Sequence, residues 1–382
     1  MKTMLCFCAA MLAAIAANAD GSANGFTVSP VASSNITYDD NIYLAPDNAA
    51  SAYISRTDAG LNSEYKKGAT DITADYDAAA LVYSRDQSAD NAIHHDIKLG
   101  LATQLLKGTT VSFSEEYLAT TDRENEEFTG IIRREQNEAR IDAQSLLGGN
   151  LLLLLDGKNS YHAYSTANAY DSDRAMTGFG GGIGYAMDAV MLHANWEYSR
   201  LGYKGGDEDD ATINAFMAGA RGEICGMEFQ TEAGIEKRSY STDVADAASA
   251  YDTGIGNAKL VWRQNEYSTI TMSLYRQNKE SQLYQNNRFF TATGGEFAWN
   301  AGFATIGLRT GIGFEAVLYP ETNQSDLIKR NDQITRFNIG LDYHLSKGVT
   351  ASADFAHAER SSNETDSLYS ANSVSLGLRA AL

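Results

Sequence analysis

Proline is nearly missing from this chain: Pro30, Pro46 and Pro320 are the only three in 382 residues. A proline removes a ladder donor from a paired strand, so its scarcity suits a continuous sheet. Cysteine is equally rare. Cys6 and Cys8 fall in the first ten residues and Cys225 stands alone beyond them, so a chain trimmed at its N-terminus has no partner for a disulfide. Basic charge is short as well. Thirty Lys and Arg against 49 Asp and Glu leave a formal charge of −19, which excludes a nucleic-acid binder built on a basic stripe. Long apolar runs are absent after residue 20. The densest, Leu146 to Leu155, is broken by Gly148, Gly149 and Asn150, so a membrane, if crossed, is not crossed by helices.

The exception lies at the start. Lys2 precedes an apolar run from Met4 to Ala17, and Ala17-Asn18-Ala19 follows the small-x-small pattern of a signal-peptidase site. The run is shorter than the roughly twenty residues of a spanning helix. This predicts a signal peptide over residues 1–19 and a single exported domain over 20–382.

What the chain does have is glycine (33), tyrosine (21) and a period of two. Phe337, Ile339, Leu341, Tyr343 and Leu345 alternate with Asn338, Gly340, Asp342 and His344. After Lys347-Gly348, Val349, Ala351, Ala353 and Phe355 alternate with Thr350, Ser352 and Asp354. Tight turns are expected at Lys67-Gly68, Lys107-Gly108, Gly148-Gly149, Met187-Asp188, Cys225-Gly226, Asn265-Glu266, Asn300 to Gly302 and Lys347-Gly348. Longer polar stretches separate them. Eight turns join sixteen strands, and one more at each end predicts about eighteen, within a range of 16 to 20. Alternating strands with short turns at one rim and longer loops at the other are the pattern of an outer-membrane β-barrel. In lipid every backbone group must pair internally, so a sheet spans only by closing on itself. The fold class expected is therefore all-β, a single closed antiparallel transmembrane barrel integral to the outer membrane of a Gram-negative-type bacterium, with lipid as its first partner. Two aromatic girdles are expected, with Tyr65, Tyr185, Trp262, Tyr267, Trp299, Phe303 and Tyr343 near the turns and Tyr83, Tyr198, Tyr203, Tyr240, Tyr284 and Tyr319 near the loops.

The segment Ile36-Thr37-Tyr38-Asp39-Asp40-Asn41-Ile42-Tyr43, with Tyr53-Ile54-Ser55 after a Ser/Ala-rich stretch, resembles the opening of a family of β-barrel porins associated with exopolysaccharide production. The resemblance implies an outer-membrane barrel that conducts a secreted polysaccharide. It brings no catalytic residues with it.

The alternation assigns a mixed-charge set to the lumen: Arg134, Glu138, Arg140, Glu232, Arg238, Arg309, Arg336, Asp342 and Arg379 are the candidates for its lining. Each can instead be an ion-paired strut. The loops carry acidic clusters, Asp122, Glu124, Glu126 and Glu127 in one and Asp207, Glu208, Asp209 and Asp210 in another, and these are expected to be solvated faces. No loop is long enough to suggest an insert folded inward as a constriction. His162, Ser165 and Asn168 lie near one loop but lack the mutual geometry of a hydrolase, and no cofactor or metal is called for. The expected function is a passive channel for polysaccharide or other hydrated solutes; a non-conducting, surface-binding barrel acting through its acidic loops is the alternative.

Overall fold

The computed structural model describes residues 25–84, 90–124, 127, 130–165, 173–204, 210–241, 249–281, 287–322 and 328–381. The leader over residues 1–19 lies outside the described residues. Eighteen strands follow one another: β1 (Phe26–Asp39), β2 (Ala52–Lys67), β3 (Thr70–Tyr83), β4 (Ala92–Leu106), β5 (Thr109–Thr120), β6 (Arg134–Gly148), β7 (Leu151–Tyr164), β8 (Arg174–Met187) and β9 (Val190–Tyr203). Then come β10 (Ala211–Ile224), β11 (Met227–Tyr240), β12 (Ala250–Asn265), β13 (Ser268–Glu280), β14 (Phe289–Phe303), β15 (Ile306–Thr322), β16 (Lys329–Ser346), β17 (Val349–Ser362) and β18 (Tyr369–Ala381). Every strand pairs antiparallel with its sequence neighbours. β1 also pairs with β18, Ile36 opposite Leu376, so the sheet closes and has no edge. The expected count of about eighteen strands and the closed antiparallel barrel are observed.

The period of two sorts the side chains between two solvents. Ile72, Leu99, Phe113, Ile183, Phe216, Ile235, Leu274, Ile312, Leu341 and Leu376 are all exposed on the outside, where lipid covers them. A sheet with this exterior and no unpaired edge is an integral outer-membrane barrel.

Two details differ from the pattern read along the chain. The turn expected at Asn300 to Gly302 lies at Ala304-Thr305, because β14 continues pairing to Phe303 opposite Ile306. The loop-side girdle is also thinner than expected. Tyr83, Tyr240 and Tyr319 are buried inside the barrel, and Tyr203 packs beside buried Leu201 and Phe289, so these rings face the lumen. Tyr198 remains outside, against Phe179 and Trp196, while Tyr284 lies outside the described residues.

Those inward rings belong to apolar clusters at the loop end of the lumen. Phe290, Ala292, Val317, Tyr319 and Ile334 form one, and Leu201, Ala211, Tyr240 and Phe289 another. Removing these side chains from water inside the barrel stabilises the loop-end wall.

Candidate functional site in the lumen

Of the described residues between β5 and β6, Thr121 and Glu127 are buried and Arg123 and Glu124 half-buried. His94, buried on β4, receives the Thr121 backbone N–H on Nε2 at 3.0 Å, and Arg134 donates from Nε to the Asp122 carbonyl at 3.1 Å. These two bonds turn the chain inward at both of its roots. Beyond them Arg123 donates from Nη2 to the Ile42 carbonyl at 2.6 Å, in the loop between β1 and β2.

Glu124 then reaches the wall at β7 and β8. Its carboxylate accepts from Arg174 and from the Tyr164 hydroxyl and lies 3.5 Å from His162 Nδ1. Burial alone would raise this carboxyl; hydrogen bonding from His162 and the Arg174 charge overcome it and hold Glu124 well below the usual carboxylate range. Glu127 lands elsewhere. It is buried, accepts from Ser281 Oγ at 2.8 Å beyond β13 and is hydrogen-bonded to Tyr319 on β15. From β6 to β15 is 15 − 6 = 9 strands, half of the 18-stranded circuit, so this loop crosses the lumen.

The loop between β1 and β2 turns inward beside it. Ile42 packs on Ala79, Leu81 and Tyr83, and Leu44 packs on Tyr369 and Ala371. Asn41 donates from Nδ2 to the Ala45 and Ser370 carbonyls, and Tyr43 donates its hydroxyl to Asp90 at 2.7 Å. Desolvation and the Asp90 bond push the Tyr43 phenol up to about 12, so it stays a donor at physiological pH. The expectation that no loop folds inward is therefore overturned. Loops of ordinary length suffice, since apolar residues such as Ile42 and Leu44 find apolar lumen wall to cover, and Glu124 and Glu127 find partners there.

Between the crossing loop and the wall lies a cavity of about 420 Å³. Its charged groups are mutually paired: Lys158 with Glu197, Arg238 with Glu236 and Glu280, Arg174 with Glu124. Lys279 on its rim bonds Glu315 at 3.2 Å. Further round, buried Arg330 holds Asp332 at 2.7 Å.

The register places all nine lining candidates on the lumen face, and the structure separates them by partner. Arg238 is a buried strut, with its guanidinium over the Phe289 ring. Arg309 is held by both oxygens of Asp342, at 2.8 and 3.0 Å, and by Asp354 at 2.8 Å. Glu232 accepts from His193 at 2.8 Å. Arg134 donates to Gln136 at 2.7 Å as well as to its loop carbonyl. Glu138, Arg140 and Arg379 have no hydrogen bond or ion pair among the described residues; Arg140 and Arg379 are exposed to the lumen. Arg336 lies level with Gly313 and Ala358. Of the second acidic run, Asp207, Glu208 and Asp209 lie outside the described residues. Asp210 caps its hairpin, accepting the Tyr203 backbone N–H at 2.8 Å. His162 and Ser165 are engaged separately, the first against Glu124 and the second donating to the Arg133 carbonyl at 3.4 Å. Asn168 lies outside the described residues.

Glu124 and Glu127 were expected in solvent, and Arg174, Lys279 and Glu280 were not singled out at all. No local signal marks them, because apart from Tyr164, ten residues before Arg174, their partners lie at least 36 residues away in the chain.

Residues 227–382 match the family model described as "Putative beta-barrel porin 2". Among solved structures, the chain is similar to Pseudomonas aeruginosa OccK2 (OpdF), at 9% identity and a TM-score of 0.50 over 94% of this chain and 98% of that one. The same protein in complex with glucuronate gives 10% identity, a TM-score of 0.50 and the same coverage. The FrpB iron transporter of Neisseria meningitidis gives 11% identity and a TM-score of 0.46, with 89% of this chain and 62% of that one covered. The chain thus spans less than two thirds of FrpB. No curated protein matches it in sequence. At such identities the likeness to OccK2 is one of fold.

Proposed function

We propose that this barrel is a passive channel for small hydrated solutes, which pass beside the docked loops and along a charged wall. The observation that carries this is the contrast within the lumen. At the loop end charges are paired and buried, whereas further in the wall is more open. Some charges there are paired, as Arg309 is with Asp342 and Asp354, but Arg140, Arg379 and Asp142 stand exposed to the lumen with no ion pair among the described residues. Weak, repeated interactions with such groups let a hydrated solute enter and leave.

The family resemblance suggested an exported polysaccharide as cargo. The crossing loop favours smaller solutes, since an extended polymer must displace the contact from Glu127 to Ser281. The same crossing favours a second reading, a barrel sealed at its loop end that acts as a scaffold.

Planar-bilayer recording of the purified barrel separates these. Stepwise ohmic openings are expected, with brief blockades by short oligosaccharides but no passage of long ones. Persistent electrical silence from protein with normal heat-modifiable gel mobility would sink the channel and leave the scaffold. Translocation of long chains by the unaltered barrel would restore the polysaccharide.

A further inference from the structure

Four successive lumen-facing positions of β8 are Gly178, Gly180, Gly182 and Gly184, and this glycine track makes a recess in the wall. Neighbouring side chains lie down over it. A Cβ at Gly180 would strike the Asp156 carboxylate, and one at Gly182 the Asn195 Cβ at 2.9 Å. Beside the track opens a cavity of about 450 Å³, into which Asp142, Asp156, His193, Asn195, Arg221 and Glu232 project.

Its charges are arranged unlike those at the loop end. Asp142 and Asp156 are directly opposite across β6 and β7, and neither has a hydrogen bond or ion pair among the described residues. One pleat repeat along, Arg140 faces Lys158. Lys158 is turned to Glu197, which leaves Arg140 exposed and without a partner among the described residues. Glu232 is engaged by His193, and Arg221 donates to Gln144 at 3.0 Å. Two buried polar atoms lack partners here. His193, whose side chain is 5% exposed, has none on Nδ1, and Asn195 has none on Oδ1. The recess thus holds a carboxylate pair with no hydrogen bond or ion pair among the described residues, and Arg140 stands at the next lumen-facing position of β6, just beyond the residues that line it.

We propose that this recess binds zwitterionic solutes of the α-amino-acid class. The ammonium group sits between Asp142 and Asp156, and the carboxylate is held by Arg140, at the next lumen-facing position of β6. Spacing is compatible with the match. Residues two apart on one strand face stand about 6.8 Å apart along the backbone, and an ammonium and a carboxylate on one carbon, with a hydrogen bond at each end, span roughly 8–9 Å, a difference the long Arg140 side chain takes up. A plain cation would satisfy the carboxylates but be repelled by Arg140, and a plain anion the reverse. The proposal rests on the channel reading only for access, because the recess opens on the lumen.

Calorimetry on the detergent-folded barrel tests it with three small probes: L-alanine, ethylammonium, which lacks the carboxylate, and propionate, which lacks the ammonium. L-Alanine is expected to bind at least tenfold more tightly than either analogue. The double variant Asp142→Asn/Asp156→Asn and the single variant Arg140→Gln are each expected to weaken L-alanine about tenfold, while Arg140→Gln leaves ethylammonium equal or tighter. Equal binding of alanine and ethylammonium, no binding of alanine, or alanine binding untouched by both variants would overturn the proposal. Bilayer recording of the same preparation keeps the two readings apart. Conductance without alanine binding removes the recess alone, and alanine binding without conductance removes the channel alone.

Discussion

Ser375 and Leu376 are neighbours in β18, yet they meet different solvents. Leu376 is 59% exposed on the outside, and Ser375 faces the lumen opposite Asp354. Leu376→Arg puts a guanidinium into lipid, at a cost on the order of 2–4 kcal/mol near the midplane. Ser375→Arg places the same group in water beside a carboxylate. Urea unfolding followed by heat-modifiable mobility should show the first variant destabilised by about that amount and the second close to unchanged. Equal tolerance would be incompatible with a lipid-covered exterior. Residue-scale electrostatics inside the wall lead to a different expectation. Like charges directly opposite on a sheet are unfavourable by roughly 0.2–1 kcal/mol, and the exposure of Asp142 puts this pair at the low end. Asp142→Asn should therefore raise the urea midpoint slightly even as it damages ligand binding. A carboxylate that costs stability where it stands is better understood as part of a site than as a strut.

At the scale of elements, the crossing loop depends on few contacts. Arg174 is nearly buried at 7% side-chain exposure, and removing one partner of a buried pair costs on the order of 3–5 kcal/mol. Arg174→Ala should free the loop from the wall, which trypsin reports by cutting after Arg123 or Arg133 in the folded barrel, while the unaltered protein resists. The pH dependence follows from the direction of the Glu124 shift. A carboxyl held below its unfolded value stabilises the folded form above the unfolded pKa of about 4.3 and loses that contribution only as pH falls through its lower folded value. Trypsin resistance should thus be the same at pH 7 and pH 5. Appearance of cleavage at pH 5 would show that Glu124 does not anchor the loop. Much of the element level was legible in the chain. Alternation marks strands cleanly wherever one face meets lipid and the other water, as from Phe337 to Leu345. It becomes ambiguous where both faces are apolar, as in β10, where Ile213 and Ala215 pack inside and Phe216 lies outside. The same ambiguity hid Tyr83, Tyr240 and Tyr319, which look like girdle residues but complete the inner clusters. The inward loops were illegible for another reason. Glu124 and Glu127 read as solvated acids until the closed sheet brings Arg174 and Tyr319 within reach.

For the molecule as a whole, the asymmetry of its two rims sets the direction in which solutes meet these parts. Eight short turns form one rim and the longer loops the other, and both ends of the described sheet, β1 and β18, start and stop on the turn side. In a barrel of this type the short turns face the periplasm and the longer loops the exterior. Solutes from outside would then meet the crossing loop before the recess beside the glycine track, so the loop selects by size and the wall by charge. A native reporter tests the orientation. Cys225 is exposed in the turn between β10 and β11, at a positive φ of 53°. On intact cells an impermeant maleimide should leave it unlabelled and should label it once the outer membrane is opened. Lys204 is 72% exposed beside the β9–β10 loop, and a Lys204→Cys variant should label on intact cells in a Cys225→Ser background. The reverse pattern would place the recess ahead of the loop for incoming solutes, and selection by charge would then come first.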